Sequence, residues 1–190
     1  MRSEDAGSKR AKSEHDLQRL VEYVSSQTHP GLGMTNELLQ NLTSQLCPNF
    51  YRGLYMAKEM STVNDNQYRN STFIINLGSH FVTLHVRPDA IIYVDPLGQP
   101  CQNPHVQRFI RQCKRPMVLH NRRRIQSQKS IYCGLYALLF SRCFDTPASQ
   151  WPIPFPLKFR RCLPTSSNNS ASNDQLCVNY LRRFIQQLSE

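Results

Sequence analysis

Four residue types that can work together occur in order along this chain: His80, Asp95, Gln126 and Cys133, the last followed at once by Gly134. Together they suit a thiol hydrolase, in which a thiol attacks a carbonyl carbon and an imidazole takes the thiol proton. A carboxylate orients the ring, and a side-chain amide donates to the developing oxyanion. On that reading Cys133 is the nucleophile, His80 the base, Asp95 its orienting group and Gln126 the oxyanion donor. Residues 126–140, Gln-Ser-Gln-Lys-Ser-Ile-Tyr-Cys-Gly-Leu-Tyr-Ala-Leu-Leu-Phe, run from a polar, Ser-rich loop into an apolar helix, with the thiol at the junction. In the first helical turn, unpaired backbone N–H groups and the positive end of the helix dipole favour thiolate over thiol, and a neighbouring imidazolium adds to this. The backbone N–H of Cys133 can face the same oxyanion, and Gly134 leaves room for another segment or for substrate. Each residue alone has an ordinary explanation. A strand histidine is usually structural, Asp-Pro usually marks a turn, and a cysteine on an apolar helix, such as Cys143, usually belongs to the core. The order and context of the four together carry the signal.

The elements that must hold them follow from hydrophobic periodicity. Residues 71–77, 80–86 and 91–95 read as three strands, with Arg87-Pro88-Asp89-Ala90 as turn chemistry between the last two and Pro96 ending the third. Paired antiparallel, they put His80 at the start of one strand and Asp95 at the end of its hairpin partner, side by side at one end of the sheet. Leu17, Leu20, Val21 and Val24 predict a helix over 14–26. Thr35 can cap a second helix that buries Leu38, Leu39 and Leu42 and ends at Cys47-Pro48. Residues 49–60 read as an aromatic loop, 103–113 as a helix burying Val106, Phe109 and Ile110, 117–119 as a short strand, and 133–144 as the apolar helix. Residues 146–159 read as a Pro- and Trp-rich loop. Residues 165–174 have the composition of a mobile low-complexity loop, and a closing helix is expected from Asn173 or Asp174 to Leu188. The fold class is therefore α+β: a small central antiparallel or mixed sheet flanked by helices, with the thiol at the N-terminus of a buried central helix. Residues 1–13 are expected to be a disordered basic tail and 14–190 a single domain.

Bulk composition narrows the function. At 190 residues the chain can build one domain with a real core. No apolar run reaches the roughly 18–20 residues of a membrane span, and the first residues lack a secretory h-region. The seven cysteines (Cys47, Cys101, Cys113, Cys133, Cys143, Cys162 and Cys177) are odd in number and widely spaced, which favours reduced thiols over a disulfide framework. No Cys-x-x-Cys or His-x-x-x-His pair supports zinc, so neither a metal nor a small-molecule cofactor is expected. The net charge of +10 points to an acidic partner, most simply a nucleic-acid backbone bound without sequence preference. The basic residues cluster at 9–12, at Arg108, Arg111, Lys114 and Arg115, at Arg122, Arg123 and Arg124, at 158–161, and at Arg182 and Arg183. The group at 9–12 resembles half a nuclear localisation signal.

With these residues in view, the chain resembles the adenovirus maturation protease family of cysteine endopeptidases (the adenains), and more widely the clan that includes the SUMO-deconjugating proteases. The family carries His followed by an aromatic residue, an acidic residue after a strand, Gln, and Cys-Gly on a central helix. Here Gln126 stands seven residues before Cys133 and Ser130 three before it. Residues 46–55, Leu-Cys-Pro-Asn-Phe-Tyr-Arg-Gly-Leu-Tyr, resemble an early loop leading into the family's substrate cleft. The likeness covers about 41–156 and, more loosely, the closing helix. It matches Cys133 to the nucleophile, His80 to the base, Gln126 to the oxyanion donor and Asp95 to the third member, which is Glu in adenains and Asp in many relatives. Phe81 stands where the family usually has Trp.

The resemblance implies a monomeric maturation protease of the host nucleus and virion that cleaves capsid or core precursors beside small residues, chiefly Gly. It also implies stimulation by DNA and by a basic viral peptide tethered through a disulfide. Cys113 is the nearest candidate for that tether, slightly displaced from the family position. Two other functions share the same residues: removal of ubiquitin-like modifiers after a Gly-Gly tail, and a catalytically idle DNA-binding protein on the same scaffold. The intact set of four speaks against the last.

Overall fold

A computed structural model of the chain describes residues 34–64, 69–127, 130–145, 173–175 and 177–179. The expectations for the tail 1–13, the helix 14–26, the loop 146–159, residues 165–172, the closing helix past 179 and the basic clusters at 9–12, 158–161 and 182–183 lie outside the described residues. The elements run α1 (Asn36–Leu46), β1 (Tyr51–Met56), a 3-10 helix (Ala57–Thr62), β2 (Ser71–Asn76), β3 (Phe81–Val86), β4 (Ala90–Val94), α2 (Pro104–Gln112), β5 (Met117–His120) and α3 (Cys133–Phe144). One mixed sheet holds all five strands in the order β1-β2-β3-β4-β5. Its centre is antiparallel, while β1 joins β2, and β5 joins β4, in parallel. The fold is α+β with flanking helices, as the sequence implied.

The sheet is buried on both faces, so β2, β3 and β4 are buried along their whole length rather than alternating in and out. Ile74, Phe81, Ile92 and Val94 face α1 and α3, whereas Phe73, Ile75, Val82, Leu84, Val86, Ile91 and Tyr93 face α2 and the 3-10 helix. Burying each large aliphatic side chain stabilises by roughly 1.5–3 kcal/mol. The three central strands must therefore keep this register, because a one-residue slip would exchange the two faces. α3 is buried from Cys133 through Ser141, which identifies it as the central helix. It lies against the sheet, α1, and Cys177 and Val178. α1 starts as expected, with Thr35 Oγ1 accepting from the Leu38 N–H at 3.3 Å. α2 starts with Asn103 Oδ1 accepting from His105 and Val106, and Pro104 in its first turn. Beyond α2, Lys114 sits at φ 47, in the left-handed conformation common after a helix end.

Three expectations need correction. Residues 49–60 are not simply a loop, because they contain β1 and the start of the 3-10 helix. The sheet's parallel edges make it larger than the three-stranded antiparallel unit. Of the two overlapping expectations for Asn173 and Asp174, the start of the closing helix holds and the mobile stretch does not: both are helical and only 3% and 5% exposed. They are held there by the hydrogen bonds described below. Among the described residues no helix is long and apolar enough to cross a membrane.

Candidate active site

Two tight turns, after β2 and after β4, and one helix start converge at one end of the sheet. Gly78 and Ser79 form the loop between β2 and β3, closed by the Leu77 N–H donating to the His80 carbonyl at 2.8 Å. Gly78 takes a φ of 113, a conformation open to glycine, and its N–H donates to Asn76 Oδ1 at 2.7 Å. This turn fixes His80 immediately before β3 rather than as its first residue. Asp95 likewise lies just past β4. In the β3–β4 register Thr83 faces Val94, so Asp95 comes opposite Val82 and His80 lies two residues beyond, a diagonal neighbour rather than a direct one. The diagonal is within reach of an imidazole, and His80 Nε2 meets Asp95 Oδ1 at 2.7 Å.

Asp95 is held on every side. Its Oδ1 also accepts from the Leu97 N–H at 2.7 Å, and its backbone N–H donates to Asn121 Oδ1 at 2.9 Å. Asn121 Nδ2 returns a hydrogen bond to the Asp95 carbonyl. The following turn closes with the Gly98 N–H donating to the Asp95 carbonyl at 2.8 Å. Gly98 is required here, since a Cβ would lie 2.5 Å from the Arg123 backbone carbon. The Pro96 carbonyl then accepts from both Ile125 and Gln126, at 2.9 and 3.0 Å. The turn that carries Asp95 thus also carries the loop of Gln126.

Cys133 opens α3, whose N-cap residue Tyr132 supplies no capping side-chain hydrogen bond. Burial pushes the His80 ring toward neutrality. Hydrogen bonds to Asp95 and to the Cys133 thiol, reinforced by their charges, overcome this and raise its pKa from 6.5 to about 9. With Nε2 on Asp95, Nδ1 is the ring nitrogen left for sulfur. His80, Gln126 and Cys133 line one cleft of about 460 Å³, together with Met34, Asn36, Asn76 and Leu97. Gln126 is buried, and its Nε2 donates to the Ser130 carbonyl at 2.7 Å. An amide NH2 has a second hydrogen to offer. Gly134 packs against Met34, where a Cβ would come 2.9 Å from Met34 Cβ, so the glycine lets this cleft wall approach the helix.

The other sequence candidates lie elsewhere. Arg108, Arg111 and Lys114 are exposed along α2 and just past its end, Arg115 is half-buried, and Arg122, Arg123 and Arg124 are exposed on the loop that follows β5. Cys113 caps the end of α2 and is 2% exposed, with its side chain among Val106, Phe109 and Tyr93. A disulfide partner would reach it only after that helix end moved aside. None of the six cysteines among the described residues is in a disulfide, and no described group of three or more His, Cys, Asp or Glu could hold a metal ion.

Three supporting residues escaped the sequence reading. Asn121 brackets Asp95, as described above. Asp174 accepts from the Ser127 N–H at 3.3 Å and from the Tyr136 hydroxyl at 3.0 Å. Asp145, 1% exposed, accepts from the N–H groups of Asn49 and Phe50 at 3.0 and 2.8 Å, and so pins the start of β1 to the end of α3. A polar residue in a low-complexity or loop context gives no local sign of such a partner. Compared with known proteins, the sequence matches no family model and no curated protein.

Proposed function

We propose that this protein is a cysteine endopeptidase working through Cys133, His80 and Asp95, with Gln126 as oxyanion donor. The observation that carries the reading is the 2.7 Å hydrogen bond from His80 Nε2 to Asp95 beside a cleft that His80, Cys133 and Gln126 line together. His80 takes the Cys133 thiol proton, and Asp95, which favours the charged ring, stabilises the imidazolium so formed. Cys133 Sγ attacks the scissile carbonyl carbon. The oxygen gathers charge and accepts from the Cys133 backbone N–H and the free Gln126 amide hydrogen. His80 gives its proton to the leaving amine as the C–N bond breaks. It then takes a proton from the water that hydrolyses the thioester and returns it to the departing sulfur, restoring the thiol.

The resemblance extends the proposal to a viral maturation protease of virion and host nucleus, acting on capsid or core precursors beside Gly and stimulated by DNA bound at the basic residues named above. A peptide activator at Cys113 belongs to the same extension. The decisive experiment is turnover of a Gly-containing peptide panel by wild type and Cys133→Ala, with and without DNA. Turnover lost in Cys133→Ala is expected. Equal turnover in both proteins defeats the assignment, and cleavage confined to a folded ubiquitin-like modifier moves it to the deconjugating class.

A further inference from the structure

Gln126 sits on a loop, and a loop residue can act as an oxyanion donor only if its backbone is held. The residues on either side of it are gripped by the same small group. On the N-terminal side, the Ile125 carbonyl accepts from Asn173 Nδ2 at 3.1 Å, with the Tyr136 hydroxyl oxygen 3.3 Å away. On the C-terminal side, the Ser127 N–H donates to the Asp174 carboxylate at 3.3 Å. Tyr136 closes the clamp by donating to Asp174 Oδ1 at 3.0 Å. All three gripping residues are buried: Tyr136 is 0% exposed, Asn173 3% and Asp174 5%. Tyr136 stands three residues after Cys133, so it rises from nearly the same side of α3 about one turn away. The carboxylate therefore ties the glutamine loop to the helix that carries the sulfur.

We infer that Asp174, with Tyr136 and Asn173, is a positioning residue that fixes Gln126 relative to the Cys133 backbone N–H and so sets the geometry of the oxyanion site. The inference rests on the hydrolase reading and deepens it. A held pair of donors acts on charge that exists only in the transition state, so loosening it lowers kcat and leaves KM nearly untouched. It also leaves alone the His80–Asp95 pair that faces the sulfur, which is made without Asp174.

The test compares wild type, Tyr136→Phe, Asp174→Asn and Cys133→Ala. Tyr136→Phe keeps the ring in the core and removes only the hydroxyl, which guards against loss of folding. Asp174→Asn keeps an acceptor for Tyr136 but turns either an N–H2 or a single shared oxygen toward Ser127. For each protein kcat and KM are measured on one peptide, with the affinity for the matching peptide aldehyde, whose hemithioacetal oxygen occupies the oxyanion position. The rate of Cys133 alkylation by iodoacetamide, which needs no oxyanion donor, is measured alongside. Displacement of a reacting group by about an ångström costs on the order of 100-fold. The expected outcome is a kcat lower by roughly 10- to 100-fold in both clamp variants, weaker aldehyde binding in step, unchanged KM and a wild-type alkylation rate. Wild-type kcat in Tyr136→Phe and Asp174→Asn, with turnover still abolished by Cys133→Ala, overturns the clamp alone. Alkylation falling in parallel with kcat also overturns it, because the network would then be supporting the helix rather than the donor. Turnover that survives Cys133→Ala overturns the hydrolase reading itself.

Discussion

Replacing Asp95 by Asn is the sharpest perturbation of the proposed pair, because it removes a charge without changing shape. The substituted amide can still accept from the Leu97 N–H, and the backbone bonds to Asn121 do not involve the side chain at this position. What is lost is the carboxylate 2.7 Å from His80 Nε2. Burial lowers the His80 pKa. The hydrogen bond to Asp95 is the largest influence the other way, followed by that to Cys133 and then by the charges of both, and the outcome is about 9. A hydrogen bond to a charged group contributes on the order of 1.5–3 kcal/mol, and 1.36 kcal/mol moves a pKa by one unit, so Asp95→Asn should bring His80 down to about 7–8. The assay is an NMR pH titration of the His80 ring carbons in both proteins, assigned with His80→Gln. Because His80 is raised on folding, its contribution to stability is complete below pH 6.5 and is lost as pH rises through about 9. The stability gap between wild type and Asp95→Asn should follow that window. Peptide turnover should fall by about 10²- to 10⁴-fold. A His80 midpoint in Asp95→Asn equal to or above that of wild type would refute the electrostatic reasoning.

His85 makes the opposite pH contribution. It is 5% exposed, stacked on Phe144 at 4.5 Å and hydrogen-bonded through Nδ1 to Thr72, and burial, aided by Arg87, lowers its pKa to about 3. Its contribution is therefore complete above pH 6.5 and is lost as pH falls toward 3, by on the order of 4–5 kcal/mol. Urea midpoints of wild type should peak near pH 6.5, and His85→Gln should lose the acid slope; parallel slopes in the two proteins would disprove this. Gly134→Ala must displace Met34 or strain α3, so it should cost about 1–3 kcal/mol in a denaturant titration and raise KM through the cleft wall; wild-type values of both would count against the packing described. DNA affinity should fall linearly on a log–log salt plot, and alanines at Arg122, Arg123 and Arg124 should flatten the slope by about 0.9 for each phosphate no longer neutralised. A salt-independent affinity would remove the electrostatic basis for DNA binding.

The sequence was most legible where local rules decide. Thr35 and Asn103 cap their helices, Pro88 and Asp89 form their turn, and the apolar strands occupy the sheet centre, because each signal lies within a few residues of its effect. His80, Asp95, Gln126 and Cys133 could be grouped because the hairpin pairing and the helix start are themselves local features. β1 was missed because a parallel edge strand finds its partner about twenty residues away with no turn to announce it, and because Gly53 and an irregular register interrupt it. Asp174 and Asn173 were hidden by composition: in a Ser- and Asn-rich stretch, nothing local separates a buried acceptor from a solvated one. Asn121 sits beside three arginines, and its role depends on a residue 26 positions earlier in the chain.

The antiparallel centre of the sheet has a consequence for how the molecule acquires reactivity. β2, β3 and β4 are joined by two tight turns, so their pairing closes short loops and has low contact order. β1, β5 and α3 need longer connections. The imidazole and its carboxylate are thus brought together by neighbouring chain, while sulfur arrives only with helix docking. A half-folded chain would hold the imidazole without its thiol, so under the proposed function it could not yet cleave itself. Pulses of iodoacetamide during refolding should find fast labelling of Cys133 emerging in the last kinetic phase, after the sheet signal; fast labelling ahead of the sheet would contradict this order.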